Sequence, residues 1–545
     1  MNRTAPSVPA AMTPQKDTAL NWIEDHLDRL SAWHSQLWHL AEPAWREYES
    51  AELVKGILRD HGFEVEEESG GMPTAFAARF SHGTGGPAIG GYAEYDAVPG
   101  NCQAAATSEQ PRAGLSRWAA GHTDPHSALA IGSLAGFLGA KEAMTTHGID
   151  GSLVFFGEPA EKVRGSKPLH AAAGYYDGVD AFLSFHPAYM LPFSNTVRWE
   201  THCRPNYCMV YTFTCDEPHH WRSAPGGAPI PQAHTAPRAP GANDALVMMY
   251  TMGKMTRENI LPSDSGWLVS EALLTAGQAT ADNLPAHVAQ LQYACRLADL
   301  DQLDTLTQAL DRIAESAAQV TGCNWRRDWV SKSRPGLGNH AMAEVTYANM
   351  QLTGPPEFGA EAESAAREIQ ANLGLEPMER PFLPACSELI EPWEAERQLR
   401  QTLPPWVKYS TTDDYTEYCW HAPTARMYVG RAMLNAPEGF SYPDWAMNAL
   451  GGIPETIDPT WRAAGRTISA TILDLLTRPD VLADAQREFE DRTGGGIGGA
   501  EWIPPLCDYE PPTGFRWPEY VTTPRGREWW IPTTPADTRH GDRSG

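Results

Sequence analysis

The sequence predicts an α/β protein with a largely parallel sheet, interrupted by a smaller inserted module. Three observations carry this. Apolar residues change period from about 3.6 to 2 and back along the first third of the chain. Short continuous apolar runs alternate with helical patterns, the arrangement that builds buried parallel strands. Polar residues able to do chemistry follow directly on several of those runs, where open α/β sheets place their ligands.

Taken in order, Leu20, Ile23, Leu27, Leu30, Trp33, Leu37 and Leu40 recur at three and four and predict one long amphipathic helix. A second helix, Tyr48 to Asp60, stops at His61-Gly62. Strands follow at Phe63 to Glu67, Thr74 to Phe80 and Pro87 to Tyr92. A helix from His126 to Thr146 comes next, then strands at Ser152 to Phe156 and Asp180 to Phe185. The pattern restarts with a strand (Met209 to Cys215), a helix (Asn243 to Glu258), two strands (Trp267 to Ala276, His287 to Leu297), a helix (Leu303 to Gly322) and a strand (Asn324 to Ser333). That order, βαββαβ, is ferredoxin-like. A Pro/Gly/Ala-rich detour, Glu217 to Ala242, lies inside it. After Pro335 the chain returns to the first domain, with helices near Ala360 to Leu373 and Trp461 to Leu476 and a strand near Ala425 to Gly430. These shifts divide the chain at 18–205 and 335–492 (two parts of one domain), 206–334 (the insertion) and 493–545, a Pro/Trp-rich extension. Gly494 to Gly499 formally fits a dinucleotide fingerprint, but no helix follows it, so it reads as a flexible joint. The extension is expected to pack along the first domain.

Composition narrows the function. Against 42 basic residues stand 68 acidic ones, a formal charge of −26, which repels nucleic acid and anionic membranes. Nine cysteines without a CxxC pair argue for reduced thiols in a cytoplasm. No run of eighteen apolar residues and no signal-peptide pattern is found.

The chemistry concentrates in Gly121-His122-Thr123-Asp124-Pro125-His126-Ser127, where a carboxylate and two imidazoles lie within five positions. Such oxygen and neutral nitrogen donors suit a metal ion. Asp-Pro is also how helices begin, so alone the motif decides little. Asp96, Glu161 and His186, however, each follow a predicted strand, and His126 opens the helix between two of them. A turn aspartate, a helix-start glutamate and a core histidine are ordinary singly; together at one sheet edge they point to a site.

Further segments are Ala93-Glu94-Tyr95-Asp96-Ala97-Val98-Pro99-Gly100, Gly157-Glu158-Pro159-Ala160-Glu161, Phe185-His186-Pro187, Ala233-His234-Thr235-Ala236, Asn283-Leu284-Pro285 and Asp413-Asp414. With the histidine motif, and in this order, they resemble the aminoacylase and carboxypeptidase G type of metallopeptidase, in its aminobenzoyl-glutamate utilization branch. The resemblance implies a phosphorylase/hydrolase-like α/β catalytic domain and a lid that also forms homodimers. It further implies two divalent metals, zinc or manganese. Asp124, His126 and His186 match metal ligands and Glu161 matches the general base. Two positions depart: Lys162 stands where relatives have a second glutamate, and Phe440 where they have a histidine. Neither can coordinate as a charged ammonium or a phenyl ring. Both departures are assigned to the same metal, leaving a single ion on Asp124, His126 and His186, with Lys162 supplying a fixed positive charge or binding a substrate carboxylate. Glu158 or His421 are alternative ligands. His234 matches the residue that supports the oxyanion, with His219 and His220 as competitors. Asp96 and Asp414 match residues that orient histidine ligands, and Asn283 and Arg296 match positions that hold a substrate carboxylate.

The activity so implied is hydrolysis of an amide C–N bond in a small N-acyl amino acid or aromatic amide. Two rivals are an aromatic-amine deaminase, which would release ammonia, and a non-catalytic binding relic, against which the retained Glu161 speaks.

Overall fold

The computed structural model describes residues 10–216, 240–263, 266–276, 285–515 and 517–530. Its strands are β1 (Glu64–Glu67), β2 (Phe76–His82), β3 (Ala88–Ala93), β4 (Gly151–Gly157), β5 (Ala181–Pro187), β6 (Thr196–Val197), β7 (Asn206–Thr214), β8 (Leu268–Thr275), β9 (Val288–Arg296), β10 (Asn324–Ser333), β11 (Thr424–Val429), β12 (Glu519–Thr523) and β13 (Gly526–Trp530).

A seven-stranded sheet runs in the order β1-β2-β4-β3-β5-β11-β6. Its four central strands are parallel, β4 to β3, β3 to β5 and β5 to β11. Antiparallel neighbours β1, β2 and β6 flank them, so the predicted parallel character holds at the centre and not at the edges. Strands β3, β4, β5 and β11 are buried at every residue, which is why they read as continuous apolar runs rather than alternating ones.

The helix His126–His147 is buried along most of its length and packs against Pro454–Thr477. Glycine makes the close approach possible: a Cβ on Gly136 would sit 2.5 Å from Ile468 Cγ2, and one on Gly132 2.8 Å from the Phe185 ring. That packing fixes the helix whose first residue is His126. At the N-terminus the single helix expected from Leu20 to Leu40 is two, Pro14–Asp25 and Leu27–Leu40. They break at His26, whose backbone leaves the helical region while its ring bonds back to the Trp22 carbonyl. Apolar spacing continues across the break and conceals it.

The second sheet is antiparallel, in the order β10-β7-β9-β8, with helices Ala242–Ile260 and Leu300–Thr321 packed against it. This is the ferredoxin-like arrangement the element order predicts. The C-terminal extension lies over both sheets' domains rather than over one. Trp502 Nε1 donates to the Trp420 carbonyl (2.6 Å) and Arg112 to the Tyr520 hydroxyl (2.8 Å), while Lys332 of β10 pairs with Asp508 (2.6 Å).

Candidate metal and hydrolase site

The carboxyl ends of the parallel strands deliver the polar residues to one place. Glu94 and Asp96 follow β3, Glu158, Glu161 and Lys162 follow β4, and His186 is the penultimate residue of β5. All are buried except Lys162, which is partly so.

His126 is held from both sides. Its Nδ1–H donates to Asp96 Oδ1 at 2.7 Å, which leaves the Nε2 lone pair facing the site. Asp96 uses its other oxygen to accept from the Lys162 backbone N–H at 2.8 Å, so one carboxylate aligns the histidine and the loop opposite. That loop is a tight turn over Glu161–Val163, bracketed by Ala160 and Arg164, both left-handed at φ 59°. Non-glycine residues adopt this conformation at a cost of about 1 kcal/mol each. Buried Glu47 secures the turn by accepting from the Ala160 N–H (2.7 Å) and Thr74 Oγ1 (3.0 Å). Burial and the nearby Asp96 charge push the Glu47 carboxyl up to about 8.

The turn projects Glu161 and Lys162 inward together. Lys162 Nζ donates to Asp124 Oδ2 (2.8 Å), His126 Nε2 (3.0 Å) and Glu161 Oε2 (3.1 Å). Burial works against the ammonium's charge, but Asp124 and Glu161 outweigh it and keep it protonated. Glu161 also pairs through Oε1 with Arg164 at 2.9 Å. Burial alone would raise its carboxyl; Arg164 and Lys162 hold it well below the usual range.

The other side of Asp124 differs. Its Oδ1 is buried, has no hydrogen-bond partner and lies 3.5 Å from His186 Nε2. His186 donates Nδ1–H to the Pro187 carbonyl (2.7 Å), which fixes the tautomer with a bare Nε2. Burial lowers the imidazole to about 4, so it stays neutral. Glu94 adds a further open oxygen: its Oε1 accepts a hydrogen bond from Lys167 Nζ (2.7 Å), while buried Oε2 has no hydrogen-bond partner and lies 3.2 Å from His126 Nε2. Donor atoms of Glu94, His126 and His186 all lie within 4.8 Å of one another.

The expected trio of Asp124, His126 and His186 is therefore divided. Among the described residues it forms no set around one point. The groups close enough are Glu94 with His126 and His186, and Glu94 with Asp413 and Asp414. The physical reason is the ammonium, which takes up Asp124 Oδ2 and the His126 lone pair. Open lone pairs remain on Asp124 Oδ1, on His186 Nε2 3.5 Å from it, and on Glu94 Oε2, which shares a close set with His186 and His126; these suit a divalent ion, whereas the point where Lys162 Nζ sits does not.

Other predicted residues fall as follows. Asp414, expected to orient a histidine, accepts instead from Lys167 at 2.6 Å, and His186 is oriented by its own neighbour's carbonyl. Arg296 ends β9, where burial and then the Arg164 charge work against its guanidinium charge; the insertion meets the turn through Ser331 of β10, whose Oγ donates to the Val163 carbonyl at 2.7 Å. Glu158 is engaged by His170 and Tyr176, and His421 by Arg334 and Asp177; both lone-pair sets are used. Phe440 packs on Tyr442. His234, His219, His220 and Asn283 lie outside the described residues. Sequence reasoning missed Glu94, Arg164 and Lys167. Glu94 carried a signal, since it stands two residues before Asp96 after the same strand and both carboxylates reach the His126 ring.

No protein-family profile matches the chain. It is 24% identical over 485 residues to a p-aminobenzoyl-glutamate hydrolase subunit from Escherichia coli (strain K12), covering 86% of this chain and 94% of that one. It is 24% identical over 330 residues to Xaa-Arg dipeptidase of Mus musculus, covering 56% and 64%. Among solved structures, aminobenzoyl-glutamate utilization protein from Klebsiella pneumoniae aligns with a TM-score of 0.47 at 14% identity, over 83% of this chain and 98% of that one. Over 86% of its length the chain is similar to that p-aminobenzoyl-glutamate hydrolase subunit, the branch its motifs resemble.

Proposed function

We propose that the chain is a metal-dependent amidohydrolase that cleaves the amide C–N bond of a small N-acyl amino acid or aromatic amide. The observation that carries this is Glu161 lying 3.5 Å from His126, which forms a close donor set with Glu94 and His186, while His186 lies 3.5 Å from the open Asp124 Oδ1, in a chain similar to p-aminobenzoyl-glutamate hydrolase. Zinc or manganese, about one ion per chain, suits the mixed imidazole and carboxylate set. Such an ion would polarise the substrate carbonyl and acidify water.

The chain's own groups do the rest. Glu161, ionised and aimed by Arg164 and Lys162, takes the proton of the attacking water and passes it to the leaving amine. The same two cations weaken it as a base, so the acidity of the water must supply part of the driving force. Arg296 on β9 is the proposed partner of a substrate carboxylate, and His234 and Asn283, which match family positions, are proposed to support the oxyanion and hold the substrate.

A homodimer through the inserted module is part of the proposal. Strand β8 is an edge carrying exposed Leu268 and Leu273, and the helix beside it exposes Val247 and Met255, a surface that suits a second copy. Nine unpaired cysteines suit a reducing cytoplasm.

The test is activity of chelated and then zinc- or manganese-loaded protein on a panel of N-acyl amino acids and aryl amides. The reading expects an acid and an amine in equal amounts, dependent on metal. Ammonia release would favour the deaminase, and binding without turnover by wild type and Glu161→Gln alike would favour the relic.

A further inference from the structure

We propose that Lys162 is a built-in cation, occupying with its ammonium a position that would otherwise bind a metal ion. An ammonium has three protons and no lone pair. Here the three find Asp124 Oδ2, His126 Nε2 and Glu161 Oε2, at 2.8, 3.0 and 3.1 Å. Two carboxylates and an imidazole nitrogen converging on one point is the donor set of a divalent metal site, not of an ordinary surface lysine. Every proton is used, so the ammonium has none left for a substrate carboxylate, the other role open to it.

The tether is short and fixed. Lys162 is the residue after Glu161, its backbone N–H is held by Asp96, and its turn is bracketed by two left-handed residues. Asp96 also sets the His126 tautomer that makes Nε2 an acceptor. One carboxylate thus places both the cation and one of its receivers. The contrast across Asp124 completes the case: Oδ2 is paired with the ammonium, whereas Oδ1 and Glu94 Oε2 are buried without hydrogen-bond partners. One cation position is filled by the chain and the neighbouring one is open. The proposal deepens the metal-dependent reading and rests on it for the second position only. The consequence is a site that keeps the single charge of its ammonium when a divalent ion is stripped away.

The test is metal content by mass spectrometry after loading the full chain with excess zinc and gel filtration, for wild type and Lys162→Glu. Wild type is expected to retain about one ion per chain and the variant about two, since the substitution returns a carboxylate to an existing donor set. Wild type retaining two ions, or a variant that gains none, overturns the proposal. Wild type retaining none while the variant gains one leaves the built-in cation standing and removes the metal-dependent reading instead. If Lys162→Glu fails to fold, amine acetylation of wild type read by peptide mass spectrometry serves alone. Lys162 should stay protected with and without zinc, and its becoming reactive when zinc is added overturns the proposal.

Discussion

Two buried ionic clusters use the same ingredients and end differently. Around Arg334, Glu417 accepts from the backbone N–H and from Nε, both at 2.7 Å, while the remaining guanidinium nitrogens reach the Ile503 and Glu417 carbonyls and His421 Nε2. Each donor there has its acceptor, and the cluster ties β10 to Asp414–Trp420 and to the C-terminal extension. Around Asp124 the ammonium groups of Lys162 and Lys167 are paired, but Arg164 Nε finds no acceptor, and Asp124 Oδ1, Glu94 Oε2 and Asp414 Oδ2 are left over. A satisfied buried cluster holds a structure together, whereas buried acceptors left open cost about 1–3 kcal/mol each and persist where a ligand repays them.

Breaking each cluster should therefore give different failures. The largest effect is expected for Glu161→Gln, with kcat lowered about 10²- to 10⁴-fold and zinc content unchanged, as read by steady-state kinetics and metal analysis. Arg334→Met should do the reverse. It leaves Glu417 buried without its cation, destabilising the chain by about 3–5 kcal/mol in urea unfolding, while the folded protein keeps its metal content. Glu94→Gln should weaken zinc binding about 10- to 100-fold, measured by competition with a chelator, with a smaller effect on unfolding. The smallest effect concerns neither cluster and calibrates them. Burial lifts the Asp458 carboxyl from its ordinary 3.8 to about 6, although Trp461 Nε1 donates to it at 2.8 Å. The folded state thus holds this proton more tightly than the unfolded state. The resulting stability is present below pH 3.8 and is lost as pH rises through 6. Asp458→Asn should flatten that part of the profile and add about 1–2 kcal/mol at pH 7, read by thermal unfolding across pH.

Much of this architecture is legible in the sequence because burial leaves a pattern. The central strands are apolar throughout, the ferredoxin-like order is explicit, and Asp96, Glu161 and His186 stand where strands end. What stays hidden depends on directions that spacing does not encode. The halt at His26 falls inside unbroken apolar spacing. Which oxygen of Asp124 faces which partner depends on how the turn at Ala160 to Arg164 aims Lys162, and that turn is made of residues with no left-handed preference. Asp414 reads as a histidine partner until Lys167, far from it in sequence, is found beside it. Lys162 itself is visible as a positive charge in place of a carboxylate; that its three protons match three acceptors is visible only in three dimensions.

The central claim, one open cation position beside one filled by the chain, is tested most directly by a zinc-soaked crystal structure with an anomalous map at the zinc edge. The account predicts a single peak against Asp124 and His186, with Lys162 Nζ still on Asp124 Oδ2. A peak between Asp124 and His126, with the lysine displaced, would contradict it.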